Sequence, residues 1–480
     1  ARSIDNSAYV PTGDALLMEG EDPAEETIAP DSQDLTLAYY PDRSMNPLYG
    51  SDYTNRVVMS LMYQGLFAVD SKNNTTPILC SQYQVTPDNR TWTIYLEPNA
   101  TFSDGTRVTV QDVVASYEQA RQNVYYKGRF THIARVELSS DGGVDFFLDT
   151  PYQNLALLLD IPIVKASEVT VDNPLGTGPY SLEDGIGGKH LQRVVNWWCS
   201  DDLVAKDSSI ALVEAESPSQ IRDEFEFSGL SVVCTNPQTD SYADYRCDFE
   251  LWEVDSGFMM YIGCNVTYSK FFDDGTLRTF LTYGIDRQTL VDDNYGGLAL
   301  PTTLPISPMS PYYSKSLATN YDYDEMRFID AASKFRVPTN DKGVPRTLQL
   351  LVNSDDSARL RCARNIAATL TELGLACETV ESPTSVYEAR LQAANYDIYL
   401  GITKLPTTAD LSEFYRPWGE MSWGGLANET IYNMVNQSLA DRGNYYNLHK
   451  LVADDGRIIP VMAGYYAIYA KRGVLSDLNP

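Results

Sequence analysis

The chain has 480 residues, with 65 Asp and Glu against 36 Lys and Arg, for a formal charge of −29. Its length exceeds what one hydrophobic core usually fills, so two or more domains are expected. The charge, with no basic run, argues strongly against nucleic acid as a partner, since affinity for phosphate backbones needs clustered Lys and Arg. No stretch approaches the ~20 apolar residues of a membrane span; the nearest, Ile458 to Ala470, is short and Tyr-rich.

Taken in order, residues 1–33 read as an acidic tether: Glu19 to Asp31 carries two prolines and little to bury. No charged-then-apolar leader precedes them, so the protein is either cytosolic or has lost a signal segment. Folded sequence begins at Asp34, with an alternating strand pattern from Leu35 to Tyr40 and a turn at Asn46-Pro47-Leu48. Tyr83 to Leu96 places Trp92, Ile94 and Leu96 on one strand face. In Ala100 to Arg121, Asp104-Gly105 is a turn, and Thr109 with Asp112 forms a capping box. Val113, Val114, Tyr117 and Ala120 then give a helical apolar face. Pro174 to Tyr180 is Gly-rich, but Pro179-Tyr180 follows where a phosphate loop needs Lys-Ser/Thr, so it reads as a structural turn. Leu348, Leu350 and Val352 make a strand, and Ala358 to Leu373 a helix stopped by Gly374. Leu375 to Val380 is a strand, Ser385 with Glu388 caps a helix to Ala394, and Tyr396 to Ile402 is a third strand. That β-α-β-α-β order belongs to a parallel sheet, and ligands bind beyond the carboxyl ends of such strands. Asn353, Ser354 and Asp355, and Thr403 and Lys404, are therefore candidate ligand contacts.

Several of these segments resemble, in wording and order, the family 5 solute-binding proteins of ABC transporters, the oligopeptide, dipeptide and nickel binders. Phe102-Ser-Asp-Gly-Thr-Arg-Val-Thr-Val-Gln-Asp-Val113 matches their F-x-D-G-x-x-x-T-x-x-D-V signature. Ser60 to Asp70 resembles L-Y-x-G-L-x-x-x-D, Gly176-Thr-Gly-Pro-Tyr180 matches G-T-G-P-Y, and Ile458-Ile-Pro-Val461 matches I-I-P-L. Met260 to Asn265 resembles the crossover strand into the second lobe, and Phe271 to Arg287 the helix after it, with Leu277, Phe280, Leu281 and Ile285 as its core stripe.

The resemblance implies an α/β fold of the large periplasmic-binding-protein type (type II, cluster C), two lobes joined by a hinge. On it, 34–66, 176–258 and 426–480 form the first-lobe core, 67–175 an extra β-rich subdomain and 259–425 the second lobe. It implies a monomeric, extracytoplasmic and lipid-anchored carrier that takes a small molecule or peptide, closes over it and passes it to an ABC permease, with no cofactor and no catalysis. The peptide binders hold a ligand's ammonium with an Asp after the third strand, and the dipeptide binders its carboxylate with an Arg after the first. This chain has Lys404-Leu405-Pro406 and Asn353-Ser354-Asp355 there, with Asp410 near enough for a shifted loop to take the first role. An oligosaccharide stacked on aromatics is therefore the alternative ligand. Tyr415, Arg416, Trp418 and Trp423 are further ligand-binding candidates because their segment runs past the cleft in that fold, as are Tyr40, Met45 and Asn46 from the first lobe.

Other chemistry finds little support. His132, His190 and His449 are isolated, and the seven Cys show no metal-ligand spacing. Cys234 with Cys247 and Cys362 with Cys377 are open to disulfide pairing or to remaining free thiols.

Overall fold

A computed structural model describes residues 2–5, 34–49, 52–199, 207–237 and 245–475. The chain builds one long mixed sheet that runs through both halves of the molecule. Its order is Cys377–Ser382, Leu348–Asn353, Ile398–Lys404, Glu250–Cys264, Ile458–Ala470, Val232–Thr235, Thr36–Tyr39, Ser209–Glu214, Gly188–Arg193 and Tyr180–Gly185. The first three strands are parallel to one another. Glu250–Cys264 and Ile458–Ala470 are antiparallel and pass from one half to the other. A second, four-stranded antiparallel sheet (Cys80–Val85, Thr91–Leu96, Val144–Leu148, Ile133–Leu138) forms the subdomain within 67–175.

Local chemistry explains the elements. Thr109 and Asp112 form the expected capping box, with the Thr109 N–H donating to Asp112 Oδ2 at 2.8 Å. Val113, Tyr117 and Ala120 are buried on the second sheet, where Tyr117 meets Phe146 edge-on at 5.0 Å. Gly105 takes a φ of 82°, as the turn requires. The Gly176 and Gly178 loop lies directly on the Met62 backbone, so it is a packing turn. Pro460 is tolerated inside the sheet because it lies at a register slip, opposite Tyr261, where a missing N–H does least harm.

Some expectations need correction. Phe271 to Arg287 is no single helix: short helices at Lys270–Phe272, Thr276–Phe280 and Leu281–Gly284 break before Arg287–Tyr295, although Leu277, Phe280, Leu281 and Ile285 are all buried. The Ser385/Glu388 capping box does not form. The helix Thr384–Gln392 begins after Pro383, and Asp355 supplies its cap, accepting the Thr384 N–H at 2.8 Å. Within the stretch read as a tether, Arg2–Asp5 pairs antiparallel with Glu250–Glu253; residues 6–33 lie outside the described residues. Cys80, Cys247, Cys264, Cys362 and Cys377 are free thiols, so neither Cys234 with Cys247 nor Cys362 with Cys377 is a disulfide. Among the described residues no helix is long and apolar enough to cross a membrane.

The two crossover strands slip register between Asp255 and Met259, around Gly257 at φ 74°. The Gly257 carbonyl accepts the Leu405 N–H at 2.8 Å, and a Cβ at Gly257 would run into the Leu405 carbonyl oxygen. Gly257→Ala is expected to cost about 1–3 kcal/mol of unfolding free energy, from strain at positive φ and displacement of 404–406. Urea denaturation checks this, and a change under about 0.5 kcal/mol would show that the slip tolerates a side chain.

Candidate functional site

The slip at Gly257 places the end of Ile398–Lys404 beside the junction of the two halves, with Phe258 opposite Lys404 and Met259 opposite Thr403. From the first half, the helix Tyr53–Ser60 brings Tyr53 and Arg56, its N-cap Asp52 accepting the Thr54 and Asn55 N–H groups. Asn55 ties that helix to the strand before it: it accepts the Tyr40 N–H at 2.7 Å and donates to the Tyr40 carbonyl at 3.1 Å. The turn after Val110–Ala120 supplies Tyr125, Tyr126 and Arg129, and Ile458–Ala470 supplies Tyr466, whose ring lies 4.7 Å from that of Tyr53.

These side chains form a largely half-buried cluster rich in rings and cations. Arg129 is matched, donating through Nε and Nη2 to the two oxygens of Asp160 at 2.9 Å each. Arg56 donates to the Tyr126 hydroxyl at 3.2 Å and lies over the Tyr125 ring. The Lys404 ammonium lies 3.5 Å from the Tyr125 ring centre and 3.5 Å from the Tyr466 hydroxyl. Its pKa is pushed down to about 7, first by burial and then by Arg129 and Arg56, which outweigh Asp160 and Asp255. Asp255 keeps exposed surface, yet the protein around it pushes its carboxyl up.

The other candidates divide sharply. Asn353, Ser354 and Asp355 are used in local structure: Asn353 donates to Thr384 Oγ1 at 3.1 Å and accepts the Asp355 N–H at 2.9 Å, and the Ser354 N–H reaches the Ser382 carbonyl at 2.8 Å. Met45 and Asn46 are buried, Asn46 donating to the Val169 and Val171 carbonyls at 3.1 and 2.7 Å. Tyr40 is buried as well, beneath Arg43. Tyr415 has 0% exposure, Arg416 pairs with Glu413, Trp423 is half-buried and Trp418 is 99% exposed at φ 61°. Of the twelve residues, the structure brings Lys404, with Thr403 beside it, to the aromatic wall. Arg56, Tyr125, Arg129 and Tyr466 were missed, since they come from separate elements and share no local motif.

A second feature also escaped sequence reading. Buried His132 contacts Asp149 Oδ1 through Nδ1 at 2.7 Å, and Asp410 Oδ2 and Ser412 Oγ through Nε2 at 3.1 and 2.7 Å. Asp410, which the sequence offered for a ligand ammonium, is instead fully engaged by His132 and by the Ser412 N–H and hydroxyl at 2.9 and 2.6 Å. Tyr152 donates to Thr408 Oγ1 at 2.7 Å, and the Gln153 N–H to the Leu439 carbonyl at 2.8 Å, so the subdomain is bound to the 408–439 segment. The boundary expected at 425/426 falls inside this segment.

With this geometry in view, comparisons place the chain. The profile of bacterial extracellular solute-binding proteins, family 5 (middle region), matches residues 74–425. The chain belongs to that family. The glutathione-binding protein GsiB of Escherichia coli O6:K15:H31 is 24% identical over 302 residues, 58% of this chain and 57% of that relative. The chain thus spans about three fifths of that curated relative. The unliganded open form of MppA, a periplasmic murein tripeptide binding protein, superposes with a TM-score of 0.75 at 16% identity, covering 92% of this chain and 93% of that one. The oligopeptide-binding protein AppA of Bacillus subtilis, in complex with a nonapeptide, gives 0.62 at 17% identity, with 92% and 94% covered. The fold is therefore the type II periplasmic-binding one, as the motifs implied.

Two buried groups set opposite pH responses. His132 is raised to about 9: burial alone would lower it, and Asp149 and Asp410 outweigh burial. Its contribution to stability is full below about 6.5 and is lost as pH rises through about 9. Lys404, depressed to about 7, contributes in the other sense, with stability growing as pH rises from about 7 toward its unfolded value. The destabilisation caused by His132→Gln should therefore shrink between pH 6 and 9.5, whereas Lys404→Met should gain on the wild type more at pH 6 than at pH 10. Denaturant titrations across pH test both; gaps that stay constant with pH would contradict the assigned charge states.

Proposed function

We propose that this protein is an extracytoplasmic carrier that captures a small peptide between its two halves, closes over it and hands it to a membrane ABC permease, without catalysing any reaction. The observation that carries this reading is the cluster of rings and cations at the junction of the two halves. Lys404 and Thr403 lie at a strand end, with Phe258 paired beside them on the crossover strand, and Arg56, Tyr125 and Arg129 come to them from the other half, all within a family 5 fold. Half-buried rings with polar tips suit a ligand held by stacking and hydrogen bonds. The relatives' own names, glutathione-, murein tripeptide- and oligopeptide-binding, point to peptides. Closure requires that the closed state bind the ligand better than the open one, and the slip at Gly257 is where two continuous strands have room to flex. We place the protein outside the cytoplasmic membrane, lipid-anchored and monomeric.

Thermal unfolding with glutathione and with a library of di- to hexapeptides tests the reading. A ligand at 100 times its Kd stabilises by ~2.7 kcal/mol, a clear rise in Tm. No peptide raising Tm while an oligosaccharide does would contradict it.

A further inference from the structure

Two cations share one ring at this junction. The Arg56 guanidinium carbon and the Lys404 ammonium each lie 3.5 Å from the centre of the Tyr125 ring. Tyr125 is thus the common neighbour of both cations. Among the described residues neither cation forms an ion pair: the neighbouring carboxylate Asp160 is taken by Arg129, and Asp255 accepts the Gly257 N–H at 2.9 Å. Arg56 has an acceptor for only part of its fork, and its Nε and Nη2 have none. A guanidinium with five donors and an ammonium with three, both partly desolvated and facing a ring that accepts no strong hydrogen bond, are left short of acceptors. A carboxylate supplies what is missing, because its two oxygens accept from both cations at once.

We infer that Lys404 and Arg56 form a carboxylate seat, and that the cleft ligand is an acid held there by its carboxylate, with the Tyr125 ring standing in the seat until the ligand displaces it. The Tyr125 backbone is pinned, its N–H donating to Asn123 Oδ1 at 2.7 Å, so the ring leaves by side-chain rotation while the turn stays in place. The same charges repel a free ammonium, so the amino end of a peptide lies elsewhere.

This rests on the peptide reading above, and the test separates the two. The full chain is titrated calorimetrically with tripeptides as free acids, as N-acetylated acids and as C-terminal amides, and with succinate and citrate. Acetylated acids should bind as well as free-amine acids, while the amides and Lys404→Met should each lose about tenfold or more, and Lys404→Arg should recover most of the loss. Amides binding as tightly as acids, or acetylation abolishing binding, would overturn the seat; this comparison uses the wild type and stands even if Lys404→Met fails to fold. If no peptide binds but succinate or citrate does, and Lys404→Met loses it, the peptide reading falls and the seat stands. If neither peptide nor carboxylate binds the wild type, the seat is wrong.

Discussion

The structure depends on the pairing of Glu250–Cys264 with Ile458–Ala470. These two strands pair along most of their length, yet they serve both halves of the molecule, so the halves cannot separate without breaking backbone hydrogen bonds. The ladder is interrupted at the register slip between Asp255 and Met259, where Gly257 takes a positive φ. The same slip fixes the site. Phe258 begins the pairing with Ile398–Lys404 directly opposite Lys404, and the Gly257 carbonyl holds Leu405, so the strand end carrying Lys404 is positioned by the slip.

Charge is handled in two contrasting ways around this axis. At His132 a buried cation is surrounded by Asp149, Asp410 and Ser412, and removing His132 would leave Asp410 buried without its cation, a loss of roughly 3–5 kcal/mol. That knot ties the subdomain to 408–412. At Lys404 and Arg56 the neighbouring carboxylate is spent on Arg129 and the two cations share an aromatic ring. His132 is thus matched by anions, whereas among the described residues Lys404 has none within ion-pair distance.

Much of the scaffold was legible in the sequence because it is written in local chemistry. The Thr109/Asp112 capping box, the Asp104-Gly105 turn and the β-α-β-α-β run from Leu348 to Lys404 each need only neighbours in the chain, and each formed close to where the pattern placed it. Where a distant residue competed, the local rule lost: Asp355 took the cap that the sequence pattern assigned to Ser385 and Glu388. The site was less legible for the same reason. Lys404 could be named as a candidate because strand ends are predictable, but Arg56, Tyr125 and Tyr466 converge from segments far apart in the chain, and Asp410 gave no sign of its contact with His132, 278 positions earlier. The aromatic run Phe414 to Trp423 showed the limit of composition as a guide, since Tyr415, buried at the end of the helix Ser412–Tyr415, and the exposed Trp418 lie only three residues apart.

Native mass spectrometry of the protein as purified from its own host, followed by fragmentation of whatever small molecule it releases, addresses the central claim most directly. The account predicts a short peptide with a free carboxylate, released intact and chemically unchanged. A neutral sugar, a polyamine or another ligand without an acidic group would contradict it.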